Sequence, residues 1–248
     1  MRRHTILILG GTHEGHAMAA ALSDHALFTP VSSLAGRTDP PRHPPGEVRV
    51  GGFGGFMGLA RYLGDAEIAA VIDATHPFAE RMGWNAATAC ALAGRPLLRL
   101  ERPPWRPGQG DRWTAVETWD EAVAHLEASG ARSVFLPLGG RDLDAFAGLS
   151  TVSVLIRAVD AHDPPPPLRD ATVITARGPF TVEGETALLR DHAIDAVVCR
   201  NSGGPAGAKL AAARSLGIPV IMRRRPPRPV VPRVASVPRA VSWLETLT

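Results

Sequence analysis

Short apolar runs alternate along this chain with longer Ala-rich segments, and that alternation limits the possible folds more than any single residue does. The runs read as strands at 5–9 (TILIL), 28–33, 47–50, 68–73 (IAAVID), 97–100, 113–116, 133–136, 152–156, 172–175, 195–199 (DAVVC) and 218–222. The segments between them read as helices at 13–23, 56–64, 79–93, 119–129, 141–147, 181–191 and 205–216. Strands apolar on both faces, separated by helices, predict parallel sheets covered on two sides and joined by right-handed crossovers. About five strands fall in each half, so the 248 residues are expected to form an α/β protein of two Rossmann-like, doubly wound parallel-sheet domains. A ligand cleft between the domains, facing the carboxyl ends of the strands, completes that expectation. The boundary is placed in the turn-rich stretch ERPPWRPGQGDRW, giving domains 1–110 and 111–248, with the last ~20 residues packing on either one.

Pro-rich stretches at 39–46 (DPPRHPPG) and 163–167 (DPPPP) exclude helix and read as surface loops. A third, RRRPPRP at 223–229, reads as an exposed connector, with an anion clamp as the alternative. The apolar runs fall far short of the roughly 20 residues that span a bilayer, so no membrane partner and a cytoplasmic location are expected. The opening MRRHTILILGG stops in glycines after a five-residue run and reads as a buried strand rather than a signal peptide. Cys90 and Cys199 lack a C-x-x-C partner or a His pair at ligand spacing, so neither a metal site nor a disulfide is expected. Lys209 is the one lysine, and arginine supplies the other strong bases in a chain of pI near 9.5. Arginine grips carboxylates and phosphates through paired hydrogen bonds, which fits an anionic small molecule. Nucleic acid is not expected, because no aromatic-interleaved basic stretch or recognition-helix pattern is present.

The chemistry-bearing motifs follow strands. GGTHEG at 10–15 comes after TILIL and opens a helix, a form of the dinucleotide fingerprint with Thr12 in the middle glycine's place. Gly10 and Gly11 make the turn, Gly15 lets the helix pack closely, and with Thr12 and Glu14 they form a candidate cofactor cradle at a helix N-terminus. The second strand ends in Ser32 and Ser33 without a carboxylate, and Arg37 follows. A guanidinium in place of the ribose-binding acid suits a 2′-phosphate, so NADPH is expected rather than NADH. DATHPF at 73–78 puts Asp73, Thr75 and His76 at a strand end, with Thr75 as a candidate cap and Pro77 in the first helical turn. His76 is the candidate for proton delivery, histidine being the side chain whose ordinary pKa lies nearest neutrality. In the second half, Arg141 of GGRDL, Arg177 and Gly178 of RGPF, and Arg200, Asn201, Ser202 and Gly203 of RNSGG stand at strand ends. Lys209 follows in the next helix, and together these make an anion-binding set. Ser202 lacks G-x-S-x-G context and is not read as a nucleophile.

Taken in order, GGTHEG, SLAGRT, DATHPFA, LRLERPPW, GGRDL, ARGPF and NSGG with AKL downstream resemble the precorrin-6A reductase family of cobalamin (vitamin B12) biosynthesis, over residues 5–225. The resemblance implies NADPH-dependent reduction of one double bond of the precorrin-6A macrocycle to precorrin-6B, or the same step on cobalt-precorrin-6A. It makes the anionic partner a tetrapyrrole bearing several carboxylates, bound by the 111–248 domain while residues 1–110 hold NADPH. It departs at residue 200, where family members commonly carry Lys and this chain has Arg. Two other readings share the architecture: a double-domain transferase acting on a nucleotide sugar, and a non-catalytic nucleotide sensor. A monomer or weak homo-oligomer is expected.

Overall fold

The computed structural model describes residues 3–36, 43–159, 168 and 170–248. Its elements run β1 (His4–Leu9), α1 (His13–Ser23), β2 (Phe28–Leu34), β3 (Glu47–Val50), α2 (Phe56–Asp65), β4 (Ile68–Asp73), α3 (Glu80–Ala93) and β5 (Leu97–Leu100). Then come β6 (Trp113–Val116), α4 (Trp119–Ser129), β7 (Ser133–Leu136), a 3-10 helix (Gly140–Phe146), β8 (Ser153–Ala158), β9 (Ala171–Thr175), α5 (Val182–Asp191), β10 (Ala196–Arg200), α6 (Ala208–Leu216) and β11 (Val220–Arg223). The chain closes with β12 (Arg233–Val234) and α7 (Val237–Glu245). Helix had been expected at 141–147; the tighter 3-10 form stands there, and no side chain caps its start.

Two compact units result: Met1–Pro103 with Pro226–Thr248, and Pro104–Arg225. The division falls seven residues before the expected boundary at 110, and the C-terminal segment belongs to the first unit. The first unit holds a parallel sheet in the order β3-β2-β1-β4-β5-β12. The second holds β9-β8-β7-β10-β11-β6, also parallel. The edge place that β12 fills in the first unit is filled in the second by β6, the earliest strand of that unit. In each sheet the winding direction reverses once, between β1 and β4 and between β7 and β10. The crevice beyond the carboxyl ends at such a reversal is where ligands bind in doubly wound sheets.

Alternation explains both layers of the first unit. Ile6 and Ile8 of β1 pack with Ile72, Leu98 and the α1 residues Met18, Ala19 and Leu22 on one face. Leu7 and Leu9 pack with Val71, Leu97, Leu59 and Leu63 of α2, and Ala86 and Ala89 of α3 on the other. The second unit repeats the plan. Val134, Leu136 and Val198 face Trp119, Ala122 and Leu126 of α4. Phe135, Val197 and Cys199 face Leu189 of α5 and Leu210 of α6. Each fully buried Leu or Met contributes on the order of 1.5–3 kcal/mol. The helix α7, absent from the sequence reading, lays Ala240 and Leu244 at helical spacing into the first unit's core.

Candidate active site

At the first reversal, β1 ends in Gly10 and Gly11, and Thr12 caps α1. The Thr12 hydroxyl accepts from Gly15 N–H at 3.1 Å and donates to the Ala74 carbonyl at 2.7 Å. This one side chain therefore ties the glycine turn to the end of β4 across the crevice. A Cβ on Gly15 would lie 3.1 Å from Gly10 Cα, so glycine is needed for the helix to approach the turn. Gly11 has φ +99°, and open space surrounds the place where its Cβ would be. The N–H groups of His13 and Glu14 lie in the first turn of α1, where no helical carbonyl precedes them. A glycine turn with open space above it, and a first helical turn in which Thr12 takes only the Gly15 N–H, suits the diphosphate of a dinucleotide. Glu14 pairs with Arg102 at 2.7 Å.

The end of β2 differs from expectation. The strand runs to Leu34, so Ser32 lies inside the sheet, buried, with its hydroxyl lacking a hydrogen-bond partner. Ser33 faces Arg49 of β3, whose Nη1 lies 3.5 Å from its hydroxyl. Arg37 falls outside the described residues.

The DATHPF segment is organised around a buried acid. Asp73 is fully buried, and its Oδ1 accepts from Thr75 N–H at 3.2 Å and Thr75 Oγ1 at 2.6 Å. Its Oδ2 accepts from Arg228 at 2.6 Å and Arg99 at 3.4 Å. Arg228 also reaches Thr75 Oγ1 at 3.1 Å and Glu101 at 3.3 Å. The RRRPPRP sequence predicts an exposed connector; Arg228 instead buries its side chain and joins the returning segment to β4. Thr75 was expected to cap the following helix. The acid and the arginine take its hydroxyl, so α3 starts only at Glu80, with Ala79 at the cap and no side-chain cap bond. Pro77 accordingly sits in a turn closed by Ala79 N–H on the His76 carbonyl at 2.7 Å, not in the helix. His76 Nδ1 accepts from Phe78 N–H at 3.2 Å, which places the proton of the neutral ring on Nε2.

In the second unit the RNSGG turn follows β10. Gly203 and Gly204 are consecutive left-handed residues, φ +69° and +74°, which bend the chain back toward α6. Asn201 bonds both backbone groups of Trp105, accepting from its N–H at 2.8 Å and donating to its carbonyl at 3.0 Å. Trp105 Nε1 donates to Gly204 O at 2.8 Å, and Lys209 Nζ lies 4.5 Å from the Trp105 ring centroid. Arg225 donates to the carbonyls of Asn201 and Ser202. Arg200 forms an ion pair with Asp142 of the 3-10 helix. Asn201 and Arg200 therefore have protein partners, which the sequence did not foresee. Arg177 is exposed at the end of β9, and the Arg141 side chain lies outside the description.

Lys209 and Gly178 line one open pocket beyond β7, β8 and β9, together with Pro137, Val159, Phe180 and Ala206. Its wall contains a pair missed in the sequence: Arg157 of β8 grips Glu185 of α5 with two hydrogen bonds, both side chains buried, under the Phe180 ring at 3.7 Å. A signal for it was present. Arg157 in SVLIRA and Arg99 in LLRL are charges inside apolar strands, and a charge so placed requires a partner. Burial pushes the Cys90 thiol up to about 12, with Asp73 adding to the shift, and burial likewise raises Cys199. Among the described residues no His, Cys, Asp and Glu cluster is arranged to hold a metal. No helix among them is long and apolar enough to cross a membrane.

Two parallel sheets, each with its winding reversal, and a glycine turn at the first reversal define a double Rossmann-like α/β protein. The chain belongs to the family described as precorrin-6x reductase CbiJ/CobK, which matches residues 5–245, and this agrees with the motif order in the sequence. It is 49% identical to a precorrin-6A reductase of Rhodococcus erythropolis, covering 98% of each chain. Against a cobalt-precorrin-6A reductase of Priestia megaterium, identity is 29%, over 89% of this chain and 90% of the relative. The solved structure of a CobK precorrin-6A reductase superposes with a TM-score of 0.93 at 45% identity, covering 98% of this chain and 97% of that one.

Proposed function

We propose that this chain reduces one double bond of precorrin-6A to give precorrin-6B, with NADPH as reductant, in cobalamin biosynthesis. The observation that carries the reading is the β1–α1 glycine turn, tied by Thr12 to the end of β4 within a chain of this reductase family. The higher identity to precorrin-6A reductases than to cobalt-precorrin-6A reductases favours the metal-free macrocycle.

NADPH supplies the hydride when bound. The turn Gly10-Gly11-Thr12 with Glu14 and Gly15 would hold its diphosphate, Ser32, Ser33 and Arg37 would serve its adenosine half, and Asp73, Thr75 and Pro77 would shape the opposite wall. Asp73 acts through its bonds to Thr75, Arg99 and Arg228, which hold the strand-end turn in place. His76, with its proton on Nε2, delivers or positions the proton that completes the reduction. Arg141, Arg177, Gly178, Arg200, Asn201, Ser202, Gly203 and Lys209 supply the basic and backbone groups for the anionic macrocycle. Buried thiols of high pKa make poor nucleophiles, so direct transfer without a covalent intermediate is favoured. The test is the absorbance loss of NADPH with precorrin-6A, with and without cobalt. Turnover with the metal-free substrate, and a deuterium isotope effect in single turnover with labelled NADPH, are expected. Tight NADPH binding without oxidation on either substrate would favour the nucleotide sensor instead.

A further inference from the structure

We propose that Arg49 selects the cofactor by receiving the 2′-phosphate of NADPH. The inference rests on the NADPH reading above and adds a residue that the sequence motifs did not single out. Ser33 of β2 is the register partner of Leu9 of β1 on one side and of Arg49 of β3 on the other. A row thus crosses the carboxyl ends of three strands, from the glycine turn through Ser33 to Arg49. Gly10 N–H donates to Ser33 O at 3.0 Å, and Arg49 continues the row at 3.5 Å from Ser33 Oγ. In nucleotide-binding sheets of this order the diphosphate lies at the first turn and the ribose at the end of the second strand. A 2′ substituent on that ribose points onward to the third strand, about 10 Å from the first at two strand spacings.

The Arg49 side chain is set for such a ligand. Nη1 donates to Gly51 O at 2.7 Å and Nη2 to Gly52 O at 2.6 Å. The guanidinium lies 3.9 Å from the Phe53 ring centroid and 5.4 Å from that of Tyr62. Its orientation is therefore fixed by neutral groups. Of the five donors of a guanidinium, three are used in these contacts and the Ser33 contact. Arg99, Arg102, Arg157, Arg200 and Arg228 each hold a carboxylate. Arg49 makes no such ion pair among the described residues, and with respect to them its charge and two donors are left for an external anion. It is only half-buried, which leaves it reachable from solvent.

The experiment measures dissociation constants of the full chain, without substrate, for NADPH, NADH, 2′,5′-ADP and 5′-AMP by calorimetry. Arg49→Gln is expected to weaken NADPH and 2′,5′-ADP about ten- to a hundredfold, the range for a hydrogen bond to a charged group. NADH and 5′-AMP should bind as before. Arg49→Met, which keeps an apolar stem over Phe53, carries the same comparison if the Gln variant is unstable. An unchanged preference for the 2′-phosphorylated ligands would overturn the assignment, as would equal weakening of all four, which would mark Arg49 as loop support. Arg37→Ala measured alongside separates the two arginines. Wild-type protein that binds NADPH and NADH alike would instead defeat the cofactor reading itself.

Discussion

Removing Arg228 tests whether the buried acid at the end of β4 is held by the returning segment. The change is Arg228→Met, which keeps most of the stem and deletes the charge. In the native protein Arg228 holds Asp73 at 2.6 Å, Thr75 at 3.1 Å and Glu101 at 3.3 Å, with its own side chain about 5% exposed. Truncating one partner of a buried pair costs about 3–5 kcal/mol, because the other charge is left in low dielectric. Asp73 retains Arg99 at 3.4 Å and Thr75, so the lower end, about 3 kcal/mol, applies. At roughly 2–4 °C per kcal/mol for a chain of this size, calorimetric unfolding should shift down by about 6–12 °C. A second substitution tests the geometry behind that figure. A Cβ on Gly83 would lie 2.5 Å from Arg228 Nε, and the guanidinium is pinned and cannot yield cheaply. Gly83→Ala should therefore destabilise the wild type. In the Arg228→Met background it should stabilise by up to about 1 kcal/mol, the ordinary gain of Ala over Gly inside a helix. A drop under about 2 °C for Arg228→Met, or strict additivity of the two changes, would refute the reasoning.

Glu185→Gln leaves Arg157 buried without its carboxylate and is expected to cost about 3 kcal/mol or more in urea unfolding; a loss under 1 kcal/mol would mean that the Phe180 stack suffices. Cys90, pushed up from about 9 to about 12 by burial, should alkylate on the order of a thousandfold more slowly at pH 8 in native than in denatured protein. Cys90→Ala should leave turnover nearly unchanged, and abolished turnover with NADPH binding intact would overturn direct hydride transfer. The hydrogen bond from Arg214 holds the Asp111 carboxyl below the usual carboxylate range. Its stabilisation is thus present above the unfolded pKa of about 4 and is lost as pH falls through the lower folded value. Melting curves of Asp111→Asn and wild type should differ at pH 7 and converge in acid, and a gap that persists there would show that charge is not the cause. His76→Ala should slow turnover by a factor of about a hundred or less, read in single-turnover rates, because general acid help spans roughly 10²–10⁴.

Both sheets were legible in the sequence, because strands buried on two faces leave unbroken apolar runs and the helices between them keep their own spacing. Ile6-Leu7-Ile8-Leu9 and Ala196-Val197-Val198-Cys199 admit no other reading once glycine turns follow them. The glycine turn was legible from its place between a strand and a helix, and only the structure shows that Gly15 has little room for a side chain against Gly10. What the sequence could not decide was which charges would meet. Arg228 stands 155 residues from Asp73, and Asn201 stands 96 from Trp105. No local pattern ties such pairs, because burial creates the need for a partner and only chain return supplies one. The same cause hid β12 and α7: a two-residue strand has too little periodicity to register, and it pairs only because β5 offers an open edge. Thr75 shows the limit most directly. Its local sequence offers a helix cap, and tertiary structure gives its hydroxyl to a buried carboxylate, where an unmet charge would cost more than an uncapped helix.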